Sequence, residues 1–205
     1  MSLHSLTNSV YTLINSPVKF ADVDGHWAQD AVNDMASRKV ISGYADGTYN
    51  PEGKITRAEF AAIIVRALGL KPDTEASGFT DVSESDWNCG YIETSEKYGL
   101  IAGYPDGMFG PNDTITREQA VTIIARAMKI TGLEASLSER ETSVLLGAYS
   151  DGPLVSDYAV DGIAACLQTG IVSGIDGSTL APQDNVSRAE VAVMVQRLLQ
   201  KSELI

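Results

Sequence analysis

Apolar residues recur along this chain in one arrangement written three times. Its second part is helical: Phe60, Ile63, Ile64, Ala67 and Leu68 fall on one face at helical spacing, as do Ala120, Ile123, Ile124, Ala127 and Met128. Val191, Met194, Val195, Leu198 and Leu199 repeat the stripe. Each stripe follows a start signal: Thr56-Arg57-Ala58-Glu59, Thr116-Arg117-Glu118-Gln119 and Ser187-Arg188-Ala189-Glu190. A hydroxyl followed three residues later by Glu or Gln is a capping box, in which each side chain answers a backbone amide that the first turn leaves unpaired. Thr56, Thr116 and Ser187 are therefore the expected N-caps.

A shorter apolar run stands upstream of each box. Trp27, Ala31, Val32 and Met35 repeat at helical spacing, matched by Trp87, Tyr91 and Ile92 and by Tyr158, Gly162, Ile163 and Cys166. The pattern predicts a first helix that starts near the aromatic residue and packs Trp27 and Trp87 into the core. Gly99 and Gly170 stand where a left-handed cap would end that helix. A turn follows, Gly43-Tyr44-Ala45-Asp46-Gly47 in the first copy and Gly103-Tyr104-Pro105-Asp106-Gly107 in the second, with the Gly and Asp that tight turns favour.

The aromatic residue precedes the box arginine by 30 positions in all three copies, so one module of fixed length has been reused. A two-helix module cannot bury its apolar face alone. The expected fold is mainly α, three tandem two-helix modules packed as a pseudo-threefold bundle with loops forming inter-module grooves. The expected limits are 19–70, 78–130 and 149–201, with a linker at 131–148 that absorbs the longer step from the second copy to the third. Residues 1–18 read as a helical extension, from Leu3, Leu6, Val10, Leu13 and Ile14, or as a cloning remnant.

Composition narrows the function. Of 205 residues 44% are hydrophobic and 20% charged, a globular balance. The net charge is −12, from 15 Lys and Arg against 27 Asp and Glu, so the overall field opposes nucleic acid and anionic membrane surfaces. No run is long and apolar enough for membrane insertion. Cys89 and Cys166 lack metal or redox spacing and read as buried free thiols. The Asp-Gly turns lack the alternating oxygen ligands of a calcium loop, so no metal site and no cofactor are expected. With two histidines and no nucleophile motif, the chain offers no catalytic constellation and is read as a non-enzyme.

Phe20-Ala21-Asp22-Val23 leading to His26-Trp27-Ala28, then Gly43 to Pro51, then Ile55-Thr56-Arg57-Ala58-Glu59-Phe60, resembles an S-layer homology module. The second copy repeats it with Phe79-Thr80-Asp81-Val82, Trp87 and Ile115 to Gln119, and the resemblance runs from residue 20 to 201. It implies an extracellular anchor that holds an exported protein noncovalently on a bacterial cell wall or S-layer by binding an anionic secondary wall polysaccharide, often with pyruvylated N-acetylmannosamine, in grooves between modules. S-layer neighbours are the other implied partner, and protein–protein contact or lattice assembly is the alternative function. The resemblance assigns the sugar and its carboxylate to Arg57, Arg117 and Arg188 with Gly43, Gly103 and Gly174.

Elementary chemistry gives these residues two readings. A guanidinium takes a carboxylate through paired hydrogen bonds, and a helix start adds a positive field. The same arginines could instead pair with local acids such as Asp46. Tyr44 and Tyr104 could stack on a sugar ring or simply pack the turn. The third copy departs from the pattern, with Tyr158 for Trp, Ile175 where the others carry Tyr44 and Tyr104, and a shifted Asp-Gly turn. Its loop is the one in doubt, and on a loop-for-loop assignment Arg188 is the weakest of the three arginines.

Overall fold

A computed structural model describes residues 16–73, 75 and 78–205, so the apolar stretch from Leu3 to Ile14 lies outside the described residues. Among the described residues seven α-helices form: α1 Gln29–Ser37, α2 Arg57–Ala67, α3 Cys89–Lys97, α4 Arg117–Thr131, α5 Glu139–Gly147, α6 Val160–Gln168 and α7 Arg188–Lys201. Among the described residues β pairing is limited to three isolated antiparallel bridges, so the fold is mainly α.

The three capping boxes form as the sequence dictates. Thr56, Thr116 and Ser187 each accept from the backbone N–H three residues on, and Glu59, Gln119 and Glu190 return a hydrogen bond to the cap amide. The stripes behind them are buried: Phe60, Ile64, Ile124, Val195 and Leu198 are fully enclosed. At 25 cal/mol per Å² each such side chain contributes roughly 1.5–3 kcal/mol.

Packing does not follow the module boundaries. Each first helix lies mainly against the second helix of the preceding copy, α3 on α2 and α6 on α4, and α1 packs on α7 from the far end of the chain. Meanwhile α2, α4 and α7 touch pairwise. Where they meet, three backbone bonds run head to tail, Ile55 N to Val186 O (3.3 Å), Val186 N to Ile115 O (3.0 Å) and Ile115 N to Ile55 O (3.3 Å). Ile55, Ile115 and Val186 are buried, so this closed circuit sits in the core.

Two expectations change. Trp27, Trp87 and Tyr158 are 63%, 61% and 57% exposed, not core. The helices begin two residues later, at Gln29, Cys89 and Val160, which places the aromatic before the first turn and off the apolar stripe that buries Val32, Met35 and Ile92. The stretch read as a linker contains α5, whose Ser138 and Glu141 form a fourth capping box and whose Leu146 is buried. That box is readable in Ser138-Glu139-Arg140-Glu141, but α5 is short and its stripe thin.

Candidate functional site

The start of each second helix is tied to a loop of the next copy. Arg57 N donates to Asp113 O (2.9 Å) and Ala58 N to Pro111 O (3.2 Å); Arg117 N and Glu118 N reach Asp184 O and Pro182 O; Arg188 N and Ala189 N reach Gly53 O and Pro51 O. With the capping box these bonds occupy the amides that a helix N-terminus would offer an anion. Positive charge for a ligand must come from side chains.

The box arginines follow the same cyclic rule. Arg57 donates from Nε to Phe109 O (2.8 Å) and from Nη2 to Ala102 O (2.9 Å), and its guanidinium lies 4.6 Å from the Tyr104 ring centre. Arg188 donates from Nε to Tyr49 O (2.9 Å) and from Nη2 to Ser42 O (2.8 Å), 4.7 Å from the Tyr44 ring centre. Arg117 reaches Ser173 O from Nη2 (2.8 Å). Arg57 therefore belongs with the Gly103-Tyr104 loop, Arg117 with Gly174-Ile175 and Arg188 with Gly43-Tyr44. The loop that lacks tyrosine faces Arg117, which corrects the loop-for-loop assignment that made Arg188 the weakest.

All three arginines are more than nine-tenths buried, and loop carbonyls, with a tyrosine face as well at Arg57 and Arg188, replace the water they lose. Two gain a carboxylate as well: Arg117 Nη1 to Glu190 Oε1 at 2.7 Å and Arg188 Nη1 to Glu59 Oε1 at 2.9 Å. Arg117 keeps a buried Nε without a partner. Burial pulls its pKa below the usual arginine value, opposed by the charge of Glu190.

Gly43, Gly103 and Gly174 adopt no left-handed φ, unlike Gly47, Gly107 and Gly177 of the Asp-Gly turns. Their need is space. A Cβ on Gly43 would meet the Phe20 ring at 2.3 Å, on Gly103 the Phe79 ring at 2.1 Å, and on Gly174 the Tyr149 ring at 2.5 Å. The ring that opens each copy thus presses on that copy's Gly-containing loop. Tyr44 and Tyr104 remain 47% and 36% exposed beside their arginines, so both retain a face for contact.

The motif aspartates hold the loops in shape, a role the sequence reading did not assign. Asp22 accepts from Tyr49 N and Asn50 N, Asp81 from Phe109 N and Gly110 N, and Asp151 from Leu180 N and Ala181 N, at 2.6–3.0 Å. The second residue of each pair, Asn50, Gly110 or Ala181, is left-handed. A carboxylate on two successive amides compensates that strain.

The groove at Arg117 encloses about 480 Å³ and is walled by Trp27, Lys54, Ile175, Glu190, Met194 and Arg197. All three copies contribute to it. The exposed tryptophan that the sequence placed in the core is here a groove wall. Among the described residues no group of His, Cys, Asp and Glu is arranged to hold a metal.

The model of the family described as S-layer homology domain matches residues 19–61, 78–121 and 148–192. The chain is 36% identical over 195 residues, 95% of its length, to amylopullulanase of Thermoanaerobacterium thermosulfurigenes, of which the match covers 10%. It is 34% identical over 197 residues, 96% of its length, to exoglucanase XynX of Acetivibrio thermocellus, covering 18% of that protein. A cellulosome-anchoring protein of Acetivibrio thermocellus is 27% identical over 168 residues, 80% of this chain and 36% of the relative. The chain thus spans a minor part of these relatives.

Proposed function

The chain belongs to the S-layer homology domain family, and on that premise we propose that it anchors an exported protein noncovalently to the bacterial cell wall by binding a secondary wall polysaccharide in its inter-module grooves. Its place is extracellular, at the wall or S-layer, and it carries no catalytic step of its own. The three modules stand about a pseudo-threefold axis, within the spans 19–70, 78–130 and 149–201, and repeat one groove. Arg57, Arg117 and Arg188 supply charge to an anionic, pyruvylated sugar; Tyr44 and Tyr104 offer ring faces; Gly43, Gly103 and Gly174 let the loop lie close.

One observation carries this reading. A buried arginine from one copy is held by main-chain carbonyls of the next copy's loop, three times, and in two of the three an exposed tyrosine lies over the guanidinium. Charge and aromatic surface so preorganised suit a glycan acid, because the ligand need not order them on binding. Cation–π contact steadies Arg57 and Arg188.

The test is sedimentation of the full chain with protein-free cell walls, before and after chemical removal of the polysaccharide. Binding lost with the polysaccharide is the expected result. Binding that persists on stripped peptidoglycan overturns the reading, and binding only to other protein chains favours a lattice-assembly module.

A further inference from the structure

One side chain of the second copy ties down an aromatic residue of the third. Directly after the box arginine stand Ala58, Glu118 and Ala189. Glu118 is 3% exposed, and three donors seat its carboxylate: Ser156 N on Oε2 (3.0 Å), with Ser156 Oγ (2.8 Å) and the Tyr158 hydroxyl (2.9 Å) on Oε1. A buried carboxylate needs such partners. Partial burial, and then the hydrogen bond to Glu118, raise the pKa of Tyr158, which keeps its hydroxyl a donor.

Tyr158 is itself the odd member of its set, since Trp27 and Trp87 hold the matching positions. Both departures fall on one contact. In the cyclic order, Glu118 with Tyr158 corresponds to Ala58 with Trp87 and to Ala189 with Trp27, and an alanine methyl offers no hydrogen bond. The contact lies at the Arg57 groove: Trp27 walls the Arg117 groove, and the same step around the ring brings Tyr158 to Arg57. The charge of Arg126 acts on the Tyr158 hydroxyl, and Arg126 Nη1 donates to Leu100 O (2.9 Å), two residues before the Ala102 carbonyl that holds Arg57. Tyr158 is 57% exposed although its hydroxyl is fastened, so the ring is held by its tip and leaves apolar surface uncovered.

We propose that Glu118 is a positioning residue for glycan binding: through the Tyr158 hydroxyl it holds that ring as a fixed wall of the Arg57 groove, against which the apolar face of a pyranose stacks. The inference rests on the anchoring reading above. Glu118 does not touch the sugar. An exposed tyrosine ordinarily rotates freely and must be ordered when a ligand stacks on it, whereas here the ordering precedes the ligand. Ala58 and Ala189 can supply no such tether, so it is confined to the Arg57 groove.

NMR of the full chain with isotope-labelled tyrosine rings tests this, because Tyr104 lies over Arg57 and reports the affinity of that groove. The probe is the methyl glycoside of 4,6-O-pyruvylated N-acetylmannosamine. Tyr158→Phe keeps the ring and removes only the tether; it should weaken binding read at Tyr104 by about three- to tenfold, the loss expected when one side chain must be ordered on binding. Glu118→Ala should weaken it as much, and Tyr158→Phe added to Glu118→Ala should weaken it no further. Glu118→Ala with Tyr158→Trp rebuilds the pair found in the other copies and should recover most of the affinity. Unchanged binding in Tyr158→Phe overturns the proposal, as does a further loss on adding it to Glu118→Ala, which would put the hydroxyl on the sugar itself. Either result leaves the anchoring reading standing. A wild type in which Tyr104 ignores the probe overturns the positioning role, and the anchoring reading falls with it only if polysaccharide-bearing walls are ignored as well.

Discussion

The guanidinium of Arg188 lies 4.7 Å from the ring centre of Tyr44, so a residue of the last helix completes the loop of the first copy. The same arginine donates to Ser42 O, Tyr49 O and Glu59 Oε1, all in that copy. The third copy is thus part of the first copy's loop structure and of its stability.

Removal of residues 149–205 deletes α6 and α7, uncovering the faces of α4 and α1 that they bury. The shortened chain should associate or melt well below the full chain, because three-module packing is cooperative. Sedimentation and thermal unfolding decide; a monomer with unchanged Tm rejects the ring described above.

Arg188→Ala breaks an ion pair whose arginine side chain is 6% exposed and leaves the Tyr49 carbonyl without its donor. Loss of one partner from such a pair should destabilise by about 3 kcal/mol in urea unfolding. The companion change Glu59→Gln retains the cap and should cost much less. Equal losses in both would mean that the carboxylate, not the loop clamp, dominates.

Lys39 has φ +63°, at the position after the α1 C-cap where Gly99 and Gly170 serve α3 and α6. Its amide still makes the closing bond to Ala36 O (3.0 Å), so the left-handed geometry is imposed on a side chain that resists it. Lys39→Gly should stabilise by roughly 0.5–1 kcal/mol, the strain relieved outweighing the flexibility gained by the unfolded chain. No gain in Tm would show that the αL cost is already offset there.

Asp176 accepts from the backbone and hydroxyl groups of Ser178 and Thr179, which hold its carboxyl down to about 2 from an ordinary value of 3.8. The folded-state pKa is the lower one, so the turn's stabilisation is complete above the unfolded value and is lost as pH falls through the folded one. The difference in Tm between wild type and Asp176→Asn should therefore shrink between about pH 4 and pH 2. An NMR titration of the Asp176 carboxyl with an ordinary midpoint contradicts the assignment.

Much of the helical scaffold was legible because its signals are local. A capping box and a stripe lie within one helix, and Thr56, Thr116 and Ser187 start helices where they were expected to. The exposure of Trp27 was not legible, since it depends on a helix that begins two residues later and on a neighbouring copy that makes the ring a groove wall. Gly43, Gly103 and Gly174 were noticed, but their reason is a ring more than twenty residues upstream, which no turn rule contains. The pairing of Arg57 with the Tyr104 loop is likewise a property of cyclic order.

For a domain that carries load, the circular order has a mechanical consequence. The chain enters the ring at α1 and leaves it at α7, and these helices are neighbours, bridged by Gln196 Nε2 to Asp34 Oδ2 at 2.8 Å. Tension between α1 and α7 falls first on that noncovalent seam, whereas a polymer held in the grooves, as proposed, would load all three. An anchor built this way tears soonest when its ends are pulled apart, and holds longest when the wall itself supplies the opposing force.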